Sequence, residues 1–271
     1  MLTIRMAKLD GETERAVEPS VAPAAFARGE DLGDLRANTL WTGSAEALGL
    51  LGLGRGEEAT APQLGAAIAG RHVGTGAQVR ADGAAYDLTF IVPASISWVW
   101  AQGDPTLRAD VERAVLAGAH SSVEHLVRTR PLVDRTEPGQ GFAAALALHV
   151  AGTTQASPEP PPPLLHVHIY LVGVLDASGT LRGPDHEELY EDSLTREGGA
   201  VGRARLAQDL RELGFDITPG TGRGGRSFEI TGVPEGLLLV GQSADKGCAG
   251  LGEETERDYR NPDYRKPDCW E

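Results

Sequence analysis

No apolar run in this 271-residue chain approaches the roughly 20 residues that a bilayer-spanning helix needs. The opening MLTIRMAKLDGETER also lacks the apolar centre of a secretory leader, so the expectation is a cytoplasmic chain with no membrane partner. Cysteine is nearly missing. Cys248 and Cys269 both lie in a polar C-terminal stretch and make no disulfide framework for a core. Positive charge is scarce too, with 25 Lys and Arg against 39 Asp and Glu, a net charge of −14 and a pI near 4.9. Affinity for a phosphate backbone rests on cations that displace counterions, so this balance argues against a nucleic-acid partner. Arg203, Arg205, Arg211, Arg223 and Arg226 are the candidates for a local basic groove.

The length suits one substantial domain, or a domain plus small appendages. A short apolar start at Leu2–Ile4 reads as an edge or first strand, and AEALGLLGLG as a short helix closed by glycines. A second short helix is expected around Pro62–Ala69. Tyr86–Val92 has the content of a buried strand, Pro93 stops it, and Ser95 is placed to cap the helix that follows. Asp104-Pro105 opens a long helix, with an apolar stripe through Leu107, Val111, Val115, Leu116, Ala119, Val123 and Leu126. His120 and His125 on that helix read as ordinary surface or boundary residues.

Two apolar runs, Gly141–Val150 and Leu164–Leu175, read as strands joined by a proline-rich connector. Asp176–Gly179 reads as a hairpin turn, Ala200–Leu213 as a helix stopped by Gly214, and Phe215–Thr218 with Ser227–Ile230 as a second hairpin. Strands joined by hairpins and interspersed with helices predict an α+β fold, an antiparallel sheet covered by helices. The domain is expected over residues 1–244, with 245–271 a polar tail.

The sharpest local feature is His166-Val167-His168 inside an apolar strand, where side chains at alternate positions share a face. His149 ends the preceding run and faces the same patch if the two runs pair. Three imidazoles on rigid strands make a site for one divalent ion with coordination positions left open. Zn, Mn, Co, Ni and Fe all suit it. The bland alternative is a pair of histidines on a half-exposed sheet face. Tyr170, two positions beyond His168, is expected on the same side, as an acid, an orienting group or packing.

The order of segments resembles the relaxase domain of TrwC/TraI-type proteins, which belong to the His-hydrophobe-His (HUH) endonucleases. The resemblance rests on MLTI at the start, on WTGSAEALGLLG, on YDLTFIVPASIS followed by an alanine-rich helix containing AH, and on LLHVH. GRARLAQDLRELGFDI and GRSFEITGVPEGLL follow in the expected order. Together these cover most of residues 1–240. The resemblance implies the relaxase fold, with His149, His166 and His168 as metal ligands. It also implies Asp87 as the acidic residue that orients a histidine and assists proton transfer. In that family the metal polarises a scissile phosphate of single-stranded DNA, and an N-terminal tyrosine attacks it.

The departures fall on DNA chemistry. No tyrosine precedes Tyr86, and nothing around Ser20 suggests that it is activated to attack instead. Ala94 stands where a lysine is expected, and Gly173 where an asparagine is expected. Tyr259 and Tyr264 remain in the tail. The expectation is therefore a relaxase-fold metalloenzyme repurposed toward a small molecule or peptide. The alternatives are a single-stranded DNA-binding or nicking relative connected with plasmid transfer, and an inactive homologue.

Overall fold

A computed structural model describes residues 2–7, 39–134, 137–151, 163–220 and 227–234. Ser20, the proline-rich connector, Arg223, Arg226 and the 245–271 tail with its cysteines and tyrosines lie outside the described residues.

Two long strands form the centre. β4 (Gly141–Ala151) and β5 (Pro163–Leu175) pair antiparallel, from Gly141 opposite Leu175 to Ala151 opposite Pro163, with irregularities near Ala143 and Val150. β3 (Tyr86–Ile91) pairs with the free side of β5, and β1 (Leu2–Met6) lies outside β3. β2 (Thr39–Gly43) flanks β4, which gives the antiparallel order β1-β3-β5-β4-β2. β6 (Leu181–Arg182) extends β5 through the expected hairpin turn. There Asp176 accepts from the Ser178 and Thr180 amides, and Gly179 takes the left-handed conformation, φ 77°. β7 (Ile217–Pro219) and β8 (Phe228–Ile230) make the separate second hairpin.

Strand alternation divides the core in two. Leu88, Phe90, Leu146, Leu148, Val167 and Ile169 face one side, beneath α4 (Pro105–Thr129) and α6 (Asp192–Glu212), the latter preceded by the short α5 (His186–Leu189). Ala143, Ala145, Ala147, Tyr170 and Val172 face the other, where they meet Trp41, α1 (Ala45–Leu51) and α2 (Ala61–Ile68). The small alanines on β4 leave room for Trp41, which stands opposite Ala145 on β2. The helix starts follow the sequence signals. Ser44 and Asp104 accept from the Ala47 and Leu107 amides, and Thr60 forms a capping box with Gln63. Among the described residues no helix is long and apolar enough to cross a membrane.

The α+β expectation holds, with three corrections of detail. α3 (Ala94–Gln102) has Pro93 at its cap position, with no side-chain cap, rather than a Ser95 cap. Ser95 lies inside it, and its hydroxyl accepts from the Ile230 amide, tying β8 to the helix. β2, short and running directly into the Ser44 cap of α1, is absent from the sequence-based reading. α6 begins at Asp192, eight residues before the expected start, because Gly198 and Gly199 do not break it. The missing side chains of Gly198 and Gly202 let α6 approach α4. A Cβ at Gly202 would stand 2.7 Å from the Gly118 carbonyl oxygen and 2.8 Å from the Phe90 ring.

Gly202→Ala is therefore expected to destabilise the fold by about 1–3 kcal/mol, although alanine is the better helix former. Denaturant midpoints of the two proteins check this. An equal or higher midpoint for the variant would remove the close-packing account of these glycines.

Candidate metal centre

The end of the sheet beyond α1 and α2 carries the histidines. His149 on β4 is the cross-strand partner of His166 on β5, and His168 lies two positions along the same strand. All three project from the alanine face, so one potential ligand atom from each comes within 4.8 Å of the others. Ring centroids are 5.2 Å apart for His149–His166, 4.8 Å for His149–His168 and 5.2 Å for His166–His168. The pairing inferred for the two apolar runs is thus the one found.

Two of the rings are held from behind. His168 Nδ1 lies 2.9 Å from both carboxylate oxygens of Asp87, which is 1% exposed on β3. A carboxylate only accepts, so Nδ1 carries the proton and the Nε2 lone pair is left free. His166 Nδ1 is held in the same way, 3.0 Å from the Leu164 carbonyl oxygen. Burial, reinforced by the neighbouring His168 and His149, pushes the His166 pKa down to about 3. Near neutral pH it is an uncharged imidazole, the form that binds a metal.

This donor set fits a divalent transition ion. It offers three neutral nitrogens, a carboxylate behind one of them, and no fourth His, Cys, Asp or Glu in the cluster among the described residues. Tyr170 flanks it. Its ring lies nearly parallel to His168, with centroids 6.0 Å apart and planes inclined by 16°, and it is buried against the Trp41 cluster. Thr89 stands directly opposite His168 on β3, half-buried on the histidine side. The sequence reading did not single it out, although its spacing of two from Asp87 was the available signal.

The described candidates for a basic groove are not gathered at the histidines. Arg203, Arg205 and Arg211 belong to α6, which covers the opposite side of the sheet, and Arg205 is paired with Asp209 at 2.9 Å. His125, read as a boundary residue, joins Glu197 at 2.8 Å and helps lock α4 to α6. His120 meets Thr42 instead.

The TrwC relaxase family matches residues 31–240. No curated protein gives a significant match. The fold is shared with the conjugative relaxase TrwC in its metal-bound complex with oriT DNA, at TM-score 0.63 and 20% identity. That likeness covers 96% of this chain and 86% of the other. A copper-bound TrwC complex with oriT DNA is similar at TM-score 0.62, 21% identity and coverage of 96% and 86%. TrwC complexed with a 27-mer DNA comprising the recognition hairpin and the cleavage site is similar at TM-score 0.61, 21% identity and coverage of 96% and 85%. These findings overturn the expectation of a small-molecule or peptide partner in place of DNA. The three solved structures named here are DNA complexes, and the net charge behind that expectation describes the whole chain, not the surface near the histidines.

Asp87→Asn is expected to keep the fold and weaken metal binding about 10- to 100-fold, because an amide no longer fixes the His168 tautomer. Competition with a chromophoric chelator measures this, and unchanged affinity would separate Asp87 from the centre. The metal-free protein is expected to lose stability on acidification. Unfolded histidine takes a proton near pH 6.5, whereas His166 resists until about pH 3. The unfolded state therefore binds more protons throughout that interval. Stability contributed by His166 is full above pH 6.5 and falls by up to about 1.4 kcal/mol per pH unit below it. Urea midpoints of wild type and His166→Gln across this interval report the difference.

Proposed function

The chain belongs to the TrwC relaxase family, and from that premise we propose that it binds single-stranded DNA at a three-histidine divalent-metal centre and cleaves it hydrolytically. The observation that carries this reading is the convergence of His149, His166 and His168, with Asp87 behind His168.

A bound divalent ion supplies Lewis-acid stabilisation for charge developing on a phosphate oxygen. Zn, Mn, Co, Ni and Fe all suit this ligand set. The protein's part is to hold three imidazoles on two paired strands, with one ligand atom from each within 4.8 Å of the others. Asp87 keeps the Nδ1 proton on His168 and balances charge that accumulates on that ring. Tyr170 acts as a positioning residue, its ring fixing the plane of His168.

Among the described tyrosines none is an exposed phenol beside the histidines. Tyr170 is buried, whereas Tyr86 packs into the opposite core and its hydroxyl meets His186 Nδ1 at 3.3 Å. Tyr190 is exposed but stands against that same His186. Water is then the nucleophile, and cleavage leaves free ends with no protein–DNA adduct. A protein acting in this way belongs in the cytoplasm. The lack of any tyrosine before Tyr86 favours, as a second reading, a homologue that binds the strand without cutting it.

The test incubates end-labelled single-stranded DNA with the metal-loaded chain and with His166→Ala/His168→Ala. The expected outcome is cleavage by the loaded chain, none by the variant, and no denaturant-resistant adduct. Salt-sensitive binding without cleavage for any of the five metals would select the second reading. No binding at low salt would sink both.

A further inference from the structure

A second polar site lies at the other end of β4. From Phe142 to His149 is seven residues, about 24 Å along an extended strand, so the two are separate. Here the end of β2, the start of β4 and one face of α4 leave a partly open pocket of about 130 Å³. Its walls include Ser44, Arg55, His120, Glu124, Arg128 and Gln140. A single water needs on the order of 10–15 Å³ by the same measure, so the pocket has room for one tetrahedral oxyanion.

The pocket's charges are not balanced internally. Arg128 pairs with Glu124 at 3.0 Å, which uses the one acidic side chain lining it. Arg55, on the loop after α1, has no ion-pair partner among the described residues. His120 is anchored through Nδ1, 2.9 Å from the Thr42 hydroxyl oxygen. Its Nε2 lies 3.7 Å from the nearest Glu124 oxygen, too far for a hydrogen bond. Two guanidiniums against one carboxylate leave a net positive charge facing a ring nitrogen with no hydrogen bond. A cation would be repelled there.

We propose that this pocket binds a phosphate group between the Arg55 and Arg128 guanidiniums and His120 Nε2. The charge environment of His120 agrees. Burial lowers its pKa, Arg55, Arg128 and Arg205 lower it further, and Glu124 alone opposes them, so an incoming anion supplies the missing counter-charge. The phosphate can be free or part of a nucleic-acid backbone; the chemistry of the contact is the same.

The experiment titrates the full chain with inorganic phosphate, and separately with a short single-stranded oligonucleotide, at constant ionic strength. The imidazole signals of His120, assigned with His120→Gln, are followed by NMR. A saturable shift with a raised His120 titration midpoint is expected, and Arg55→Ala should weaken binding about tenfold. Because Arg55 makes no ion pair or side-chain hydrogen bond among the described residues, the melting temperature of Arg55→Ala is expected to match wild type. A shift with the oligonucleotide that is also lost in Arg55→Ala would identify backbone phosphate as a source. A shift with phosphate alone would identify the free ion. No saturable shift with either, or equal affinity in Arg55→Ala, overturns the proposal.

Discussion

A strand buried on both faces has to satisfy two different layers with one alternating sequence, and β5 is that strand. Its odd positions Leu165, Val167, Ile169 and Leu171 enter the core beneath α4 and α6. Its even positions His166, His168, Tyr170 and Val172 face the layer built on Trp41, α1 and α2. A one-residue slip against β4 would exchange the two sets and put imidazoles into the aliphatic core. The apolar packing of the odd set thereby enforces the register that aligns His166 with His149. The candidate metal centre costs the fold little extra, because the pairing that brings the histidines together is the pairing that buries the core.

The cost that remains is electrostatic. Burying His166 among two further imidazoles disfavours its charged form, as its strongly lowered pKa shows. The arrangement persists because each anchored ring donates to a fixed acceptor, Leu164 carbonyl or Asp87 carboxylate, and keeps its other nitrogen free of a proton. Asp87 in turn is almost fully buried, so its charge is tied to His168 rather than to water. Ligand geometry and core stability are coupled at these two hydrogen bonds.

Net charge was a poor guide to the partner. Charges farther apart than about 8 Å are largely screened at physiological ionic strength, so a whole-chain sum says little about one face. The arginines singled out as a basic groove show the same limit from the other side. Those on α6 lie over the opposite core layer, and their helix was fixed there by its glycines against α4. Composition counts charges, but packing decides where they act.

The sequence by itself determined what depends on short-range pattern. The two-residue spacing of His166 and His168, the apolar runs of β4 and β5, the Asp104-Pro105 helix start and the Asp176–Gly179 turn are local signals with local physical causes. The block order carried the family resemblance as well, and with it the expectation that Asp87 orients a histidine. Only the tertiary structure decided what depends on contacts distant in the chain. It brought Asp87 to His168 across 81 residues and Thr42 to His120 across 78. It also kept Gly198 and Gly199 inside a helix that intrinsic propensity would have ended. Helix propensity differs by only about 1 kcal/mol per glycine, so a close helix-to-helix contact outweighs it, and that contact is written in two segments at once.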